Sequence, residues 1–161
     1  MNGPIKIWLC AAYQPVYRCG GWASVRLADG QRSGLAGGER NVTASRIALA
    51  GLVAALSDLP AGAAAQVQTA SLELAQFADV FASLGAPTQA AGPEEDLDLW
   101  ARTLAATAGR RLTLVHRPAA TATPLAFATA WAELARDKAK ATGAFTAAIP
   151  KPNLAKVHGM G

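Results

Sequence analysis

The sequence predicts an α/β domain in which a five-stranded mixed sheet carries helices on both faces. Three observations support this fold class. The N-terminal quarter contains three strand-like segments separated by turns, later segments repeat apolar residues at helical spacing, and short apolar runs lie between those helices. The resulting order, β-β-β-α-β-α-α-β-α, is typical of hairpin-linked strands followed by crossover connections onto one sheet.

The first three strands are predicted to form an antiparallel meander. They cover residues 5–11, 21–27 and from 32 towards 37, and Asp29-Gly30 is a tight-turn signal between the last two. In the second strand, Trp22, Ser24 and Arg26 alternate with Ala23, Val25 and Leu27. That alternation predicts a strand with one solvated face.

The remaining elements follow from apolar spacing and end signals. A helix is expected from Thr43 or Ser45 to about Ser57, with Leu49, Leu52, Val53 and Leu56 on its apolar side. The later elements are a strand over 66–69, a helix over 72–83, a helix over 96–108, a strand over 111–115 and a helix over 124–140. In the last helix we expect Phe127, Ala128, Trp131, Leu134 and Ala135 to face inward.

Composition and charge restrict the class of protein. The chain has 161 residues, of which 52% are hydrophobic and 16% charged, which is typical of one globular domain. No apolar run is long enough to span a membrane and no signal peptide is recognisable, so a cytoplasmic location is expected. The net charge of +4 is compatible with a polyanionic partner. Acids cluster at 94–98 and bases from Lys138 onwards, and a solvated helix start and a solvated tail would account for both clusters.

Five short stretches form a recognisable series along the chain. They are Gly20-Gly21-Trp22-Ala23, Ser45-Arg46-Ile47-Ala48-Leu49, Thr69-Ala70-Ser71, Asp96-Leu97-Asp98-Leu99-Trp100 and Glu133-Leu134-Ala135-Arg136. In order and spacing they resemble motifs of the type 1 ribonuclease H family. The resemblance covers roughly residues 4–138. It implies a ribonuclease H-like domain over 1–140, followed by an extension over 141–161.

The same resemblance implies that the family's metal-binding carboxylates are missing. The family pattern has aspartate, glutamate, aspartate and aspartate where this chain has Cys10, Ala48, Ala70 and Ala132. Two-metal hydrolysis of an RNA–DNA hybrid needs hard oxygen ligands for Mg²⁺, which these side chains do not provide. We therefore expect no catalytic residues, no bound metal and no cofactor, and we expect the four positions to line a small apolar floor.

A helix start is the expected site for nucleic acid. Thr43, Ser45 and Arg46 stand at the beginning of the first helix, where backbone N–H groups and the helix dipole favour an anion. The alternative for Thr43 is a capping role only.

The cysteine and histidine residues suggest a zinc site and a disulfide, and the sequence argues against both. Cys10, Cys19 and His116 would make an incomplete zinc set without the usual CxxC or HxxxH spacing. Cys10 and Cys19 would lie close across a hairpin, but a disulfide is uncommon in a reducing compartment.

The segment 141–161 is predicted to contain no regular element. Its apolar and basic residues suggest contacts with a partner, and those proposed for this role are Phe145, Ile149, Lys151, Leu154 and Lys156. The alternatives are that the segment packs back on the domain or is disordered.

Three functions are compatible with these features of the sequence. The first is a non-catalytic module that binds nucleic acid through backbone contacts. The second is a protein–protein scaffold that binds a partner through the former cleft or the tail, and the third is residual nuclease activity. Salt-dependent binding distinguishes the first from the second.

Overall fold

A six-stranded sheet forms the centre of the molecule in the computed structural model, which describes residues 5–28, 30–56, 64–69, 111–116 and 123–157. The strands are β1 (Ile5–Gln14), β2 (Cys19–Ala28), β3 (Gln31–Arg40), β4 (Ala64–Thr69), β5 (Arg111–His116) and β6 (Phe145–Ala148). The helices are α1 (Ala44–Leu56), α2 (Pro124–Thr142) and the short α3 (Lys151–Leu154). None of the helices in these ranges is long and apolar enough to cross a membrane.

The sheet has the strand order β5-β4-β1-β2-β3-β6. β1, β2 and β3 form the expected antiparallel meander, and β4 pairs parallel with both β1 and β5. The mixed sheet and its five predicted strands are confirmed. The predicted helices over 72–83 and 96–108 lie outside the described residues.

Capping residues set the limits of the two long helices. Thr43 Oγ1 accepts a hydrogen bond from the Arg46 N–H at 3.2 Å, which starts α1. Thr123 Oγ1 accepts from the Ala126 N–H at 3.2 Å, and Pro124 follows in the first turn of α2, where its missing N–H removes nothing. Gly143, with φ of 92°, ends α2 by donating its N–H to Ala139 O at 2.8 Å.

Two apolar clusters cover the two faces of the sheet. Under α1 lie Ile5, Ile7, Leu9, Ala48, Leu49, Leu52, Ala55, Leu56, Ala65 and Val67. Under α2 and α3 lie Trp8, Cys10, Ala23, Val25, Ala36, Leu125, Ala128, Ala132, Ala135, Ile149, Leu154 and Val157. Helices on both faces, as predicted, therefore enclose the central strands.

The prediction that β2 has one solvated face is wrong. Trp22 and Ser24, assigned to that face, are 3% and 4% exposed. β2 lies near the middle of the sheet, where α1 covers the face that carries Trp22, and a Cβ on Gly51 of α1 would lie 2.8 Å from Trp22 Cβ. The residues that alternate along β2 therefore point to two different buried faces of the sheet. The alternation does not separate a buried face from a solvated one.

The buried side of α2 also differs from the prediction. Its buried residues are Pro124, Leu125, Ala128, Ala132, Ala135 and Ala139, whereas Leu134 is 60% exposed. A Cβ on Gly38 would lie 2.8 Å from Ala139 Cβ and 2.9 Å from Ala135 O. Only a stripe of alanines fits where the helix approaches the sheet so closely, and the larger Phe127 and Trp131 pack at its margins.

The segment after α2 forms regular structure, contrary to the sequence-based prediction. β6 pairs antiparallel with β3, and α3 follows after Pro150. Ile149 N–H donates to Gly34 O at 2.9 Å, and Arg32 Nη1 donates to the carbonyls of Leu154 and Val157 at 2.8 and 2.9 Å. Of the alternatives for this segment, packing back on the domain is the one observed.

Candidate nucleic-acid interface

Cys10 stands in the middle of β1 and faces α2. Its side chain is 2% exposed, and its Sγ donates to Leu125 O at 3.5 Å and accepts from Thr129 Oγ1 at 3.2 Å. Thr129 also donates to Leu125 O at 2.8 Å. These contacts place a soft, hydrogen-bonded thiol in an apolar cluster, at a position where a hard divalent cation would require a carboxylate.

The other described positions of the expected vestigial site are also buried. Ala132 is 0% exposed and belongs to the same cluster as Cys10, whereas Ala48, also 0% exposed, packs in the cluster on the opposite face. The expectation of one shared apolar floor is therefore wrong for these three residues. Ala70 lies outside the described residues.

Carboxylates do not converge in the described part of the chain. Within it, no group of three or more His, Cys, Asp or Glu side chains is placed to hold a metal ion. Glu133, next to Ala132 on α2, is exposed, as its position one residue along the helix predicts. Cys10 and Cys19 are reduced thiols whose residues pair across the β1–β2 ladder with Ala23 and Gln14 and not with each other.

At the start of α1, two of the residues expected to bind nucleic acid are engaged within the chain. Thr43 caps the helix, and Arg46 Nε lies 3.3 Å from Glu39 Oε2 in a half-buried ion pair. Ser45 lies in the first turn of the same helix. Thr43 is therefore a capping residue, and a role of Thr43, Ser45 and Arg46 in binding nucleic acid stays a prediction.

Arg46 and Glu39 form part of the wall of a cleft of about 430 Å³ between α1, β3 and β6. The other wall is formed by Trp22, Val53, Phe145 and small residues. Glu39 Oε2 is buried and forms an ion pair with Arg46. Within the described residues, this oxygen accepts no hydrogen bond. The cleft therefore combines apolar side chains with one compensated pair of charges.

Exposed cations gather at the end of the sheet where β1 turns into β2. We name the basic end the set Tyr17, Arg18, Arg40, Lys138 and Lys140. Lys140 Nζ lies 3.7 Å from the centroid of the Tyr17 ring, and Arg40 Nη1 donates to Lys140 O at 3.3 Å. No local pattern in the sequence marks this set, because its members lie in three separate parts of the chain that only β1–β2–β3 pairing and α2 packing bring together.

Solved structures resemble this chain over most of its length. The N-terminal RNase H domain of a Mycobacterium tuberculosis protein, solved as a fusion with maltose-binding protein, matches with a TM-score of 0.62 and 19% identity, covering 86% of this chain and 97% of that one. RNase H1 from the halophilic archaeon Halobacterium salinarum matches with a TM-score of 0.58 and 20% identity, covering 84% and 99%.

A third structure is LC9-RNase H1, described as a type 1 RNase H with the type 2 active-site motif. It matches with a TM-score of 0.64 and 12% identity, covering 99% of this chain and 83% of that one. The chain has a ribonuclease H-like fold. No family model and no curated protein matches the sequence.

The ribonuclease H-like fold of this chain incorporates the C-terminal segment that we expected to dock to a partner. Ile149 and Leu154 are each 3% exposed and lie in the cluster under α2, so in this arrangement they contact the chain's own core. Phe145 is half-buried, with Lys138 Nζ 4.6 Å from its ring centroid, while Lys151 and Lys156 are exposed. Of the five residues, Ile149 and Leu154 are therefore buried in the chain's own core, and Lys151 and Lys156 are exposed.

Other residues singled out from the sequence lie beyond what the structure describes. These are the acids at 94–98 and the loop over 118–122. The backbone of His116 ends β5 beside Thr69 of β4.

Proposed function

We propose that this chain is a non-catalytic ribonuclease H-like module that binds nucleic acid. What supports the non-catalytic part is the chemistry of the residues themselves. Cys10, Ala48 and Ala132 are buried residues whose own side chains carry no carboxylate, and Ala70 carries none either. Phosphodiester hydrolysis by two metal ions has no ligand set at these positions.

The observation that carries the binding proposal is the net positive charge of the chain, which has 15 Lys and Arg residues against 11 Asp and Glu residues, or +4. Several of these bases are exposed in the described part of the fold, among them Arg18, Arg40, Lys140 and Lys151. A positively charged surface attracts a polyanion at long range and gains affinity by releasing condensed counterions from the phosphate backbone.

The proposal is tested by fluorescence anisotropy with labelled RNA–DNA hybrid, duplex DNA and single strands in a salt series. We expect binding whose logarithmic affinity falls linearly with the logarithm of salt concentration, by about 0.9 per phosphate contacted on a duplex. Each sample is also incubated with Mg²⁺ and with Mn²⁺, and we expect no cleavage. Metal-dependent cleavage that co-purifies with the chain would overturn the non-catalytic assignment. Absence of binding at low salt would overturn the nucleic-acid assignment.

A second function, a protein–protein scaffold, is favoured by one feature. Val16, Tyr17 and Leu134 are large apolar side chains that are 79%, 55% and 60% exposed. Contacts of this type would give binding to a protein partner that is largely insensitive to added salt. That insensitivity distinguishes a scaffold from a module that neutralises phosphates.

A further inference from the structure

The β1–β2 turn projects an aromatic ring from the end of the sheet. Tyr17 is 55% exposed and Val16 is 79% exposed, so this turn presents apolar surface that the rest of the described fold does not cover. Arg18 follows in the left-handed region with φ of 50°, and its carbonyl accepts the Val42 N–H at 3.1 Å. The turn is thus held against the segment that leads into α1.

Strand pairing and helix packing bring three more cations beside this turn. Cys19 pairs with Arg40, which places the guanidinium of Arg40 at the same end of the sheet as Arg18. Arg40 contacts the last turn of α2 through Lys140 O, and Lys140 in turn lies over the Tyr17 ring. Lys138 lies two residues earlier on α2, over Phe145. The ring contacts restrict both lysines, so less side-chain freedom is lost when an anion binds.

The charge of the basic end is not compensated within the described residues. None of its four cations forms an ion pair there. The neighbouring acids are already engaged, since Asp137 Oδ1 lies 3.1 Å from Arg136 Nε and Glu39 pairs with Arg46. Lys138 and Lys140 also interact favourably with the dipole of α2, because they lie near its C-terminal end. This interaction does not explain why Arg18 and an exposed tyrosine lie beside them.

We propose that the basic end binds single-stranded nucleic acid, with Tyr17 stacking against a base and the four cations contacting phosphates. This inference rests on the proposed function and narrows its substrate class. An exposed aromatic ring beside a line of cations is the combination that holds unpaired bases together with their backbone. A duplex keeps its bases stacked inside, so it would use the cations and gain nothing from the ring.

The test is anisotropy titration of the full chain with a labelled oligothymidylate, an RNA single strand and a DNA duplex. Four phosphate contacts predict a logarithmic salt slope of about −2.8 for a single strand. Lys140→Gln and Arg18→Gly should each make that slope shallower by about 0.7. Tyr17→Ala should weaken single-strand binding about tenfold, whereas Tyr17→Phe should keep it, because the stacking surface remains.

The control is Lys6→Gln, which removes an exposed lysine from β1 at the opposite end of the sheet, where Lys6 pairs with Leu27. We expect its affinity and salt slope to match those of the wild type. Thermal melting checks folding, and Arg18→Gly is useful here because glycine adopts the left-handed backbone of residue 18 without strain.

The outcomes separate this inference from the proposed function. Binding to all nucleic acids that is unaffected by the Tyr17, Arg18 and Lys140 variants, or that is lost instead in Lys151→Gln and Lys156→Gln, would overturn the site but leave the module. Duplex binding stronger than single-strand binding would overturn the single-strand assignment alone. If poly-glutamate binds as tightly as single-stranded nucleic acid, the single-strand assignment is overturned in favour of an acidic protein partner. Absence of any nucleic-acid binding would overturn both proposals.

Discussion

At the scale of single residues, three of the four positions where the resemblance would place carboxylates, Cys10, Ala48 and Ala132, are core positions. Cys10 is hydrogen-bonded to Thr129 and Leu125, and Ala132 packs in the same cluster one helical turn from Thr129. A buried position of this kind rejects charge, because an ionised group loses its hydration without gaining a partner. The side chains of Cys10 and Ala132 therefore stabilise the apolar interior.

Restoring one acid should consequently be costly. Ala132→Asp is expected to destabilise the fold by about 3–5 kcal/mol, since it buries an unpaired carboxylate. Ala132→Asn is the matched control, because it adds nearly the same volume without the charge and should cost less, about 1–3 kcal/mol. Urea unfolding of both variants at neutral pH measures the difference. Equal stability of the two would show that residue 132 is accessible to water or ions.

At the scale of elements, α2 and the C-terminal segment show where apolar patterning is insufficient. α2 buries an alanine stripe against the sheet beside Gly21 and Gly38, and it leaves Leu134 exposed. The large residues missing from this interface are supplied from elsewhere, because Ile149, Leu154 and Val157 fill the same cluster. The segment after α2 is thus a part of the core.

The two leucines provide a direct comparison of these elements. Leu154→Ala should lower the free energy of unfolding by about 2–5 kcal/mol, because it leaves a cavity under α3. Leu134→Ala makes the same chemical change on the exposed side of α2 and should alter stability by no more than about 0.5 kcal/mol. Urea titration of the full-length variants checks both values. A similar loss for the two, or a larger loss for Leu134, would contradict the packing described for α2 and α3.

At the scale of the whole molecule, the sheet is enclosed from both sides, so its interior is reached only when the fold opens. Cys10 and Cys19 are 2% and 1% exposed, and both are reduced thiols. Buried thiols are inert towards reagents in solution. They therefore act as internal reporters of opening.

We expect Ellman's reagent to label neither thiol at an appreciable rate in the native protein and to label both in denaturant. A Val16→Cys variant places a third thiol at a position that is 79% exposed, and this one should react at once. The logarithm of the native-state labelling rate at Cys10 and Cys19 should rise in Leu154→Ala in proportion to its loss of stability. Rapid labelling of either natural cysteine in the wild type would contradict the enclosed sheet.

Local signals in the amino-acid sequence were enough to predict the ribonuclease H-like fold class and the order of the described elements from β1 to α2. Apolar periodicity, turn residues and short ordered motifs act over a few neighbouring positions, and most strands and both long helices follow them to within a few residues. The bounds of α2, for example, depend on Thr123, Pro124 and Gly143, which act on their immediate neighbours.

Which apolar residues are inside, and which cations lie together, depended instead on long-range packing. Trp22 and Ser24 are buried because helices cover both faces of β2, and Leu134 is exposed because α2 approaches glycines of the sheet. The C-terminal segment is ordered because β3 offers it an edge and the cluster under α2 has room for Ile149 and Leu154. The basic end unites residues more than a hundred positions apart, such as Tyr17 and Lys140, and such proximity arises from tertiary contacts that no local pattern encodes.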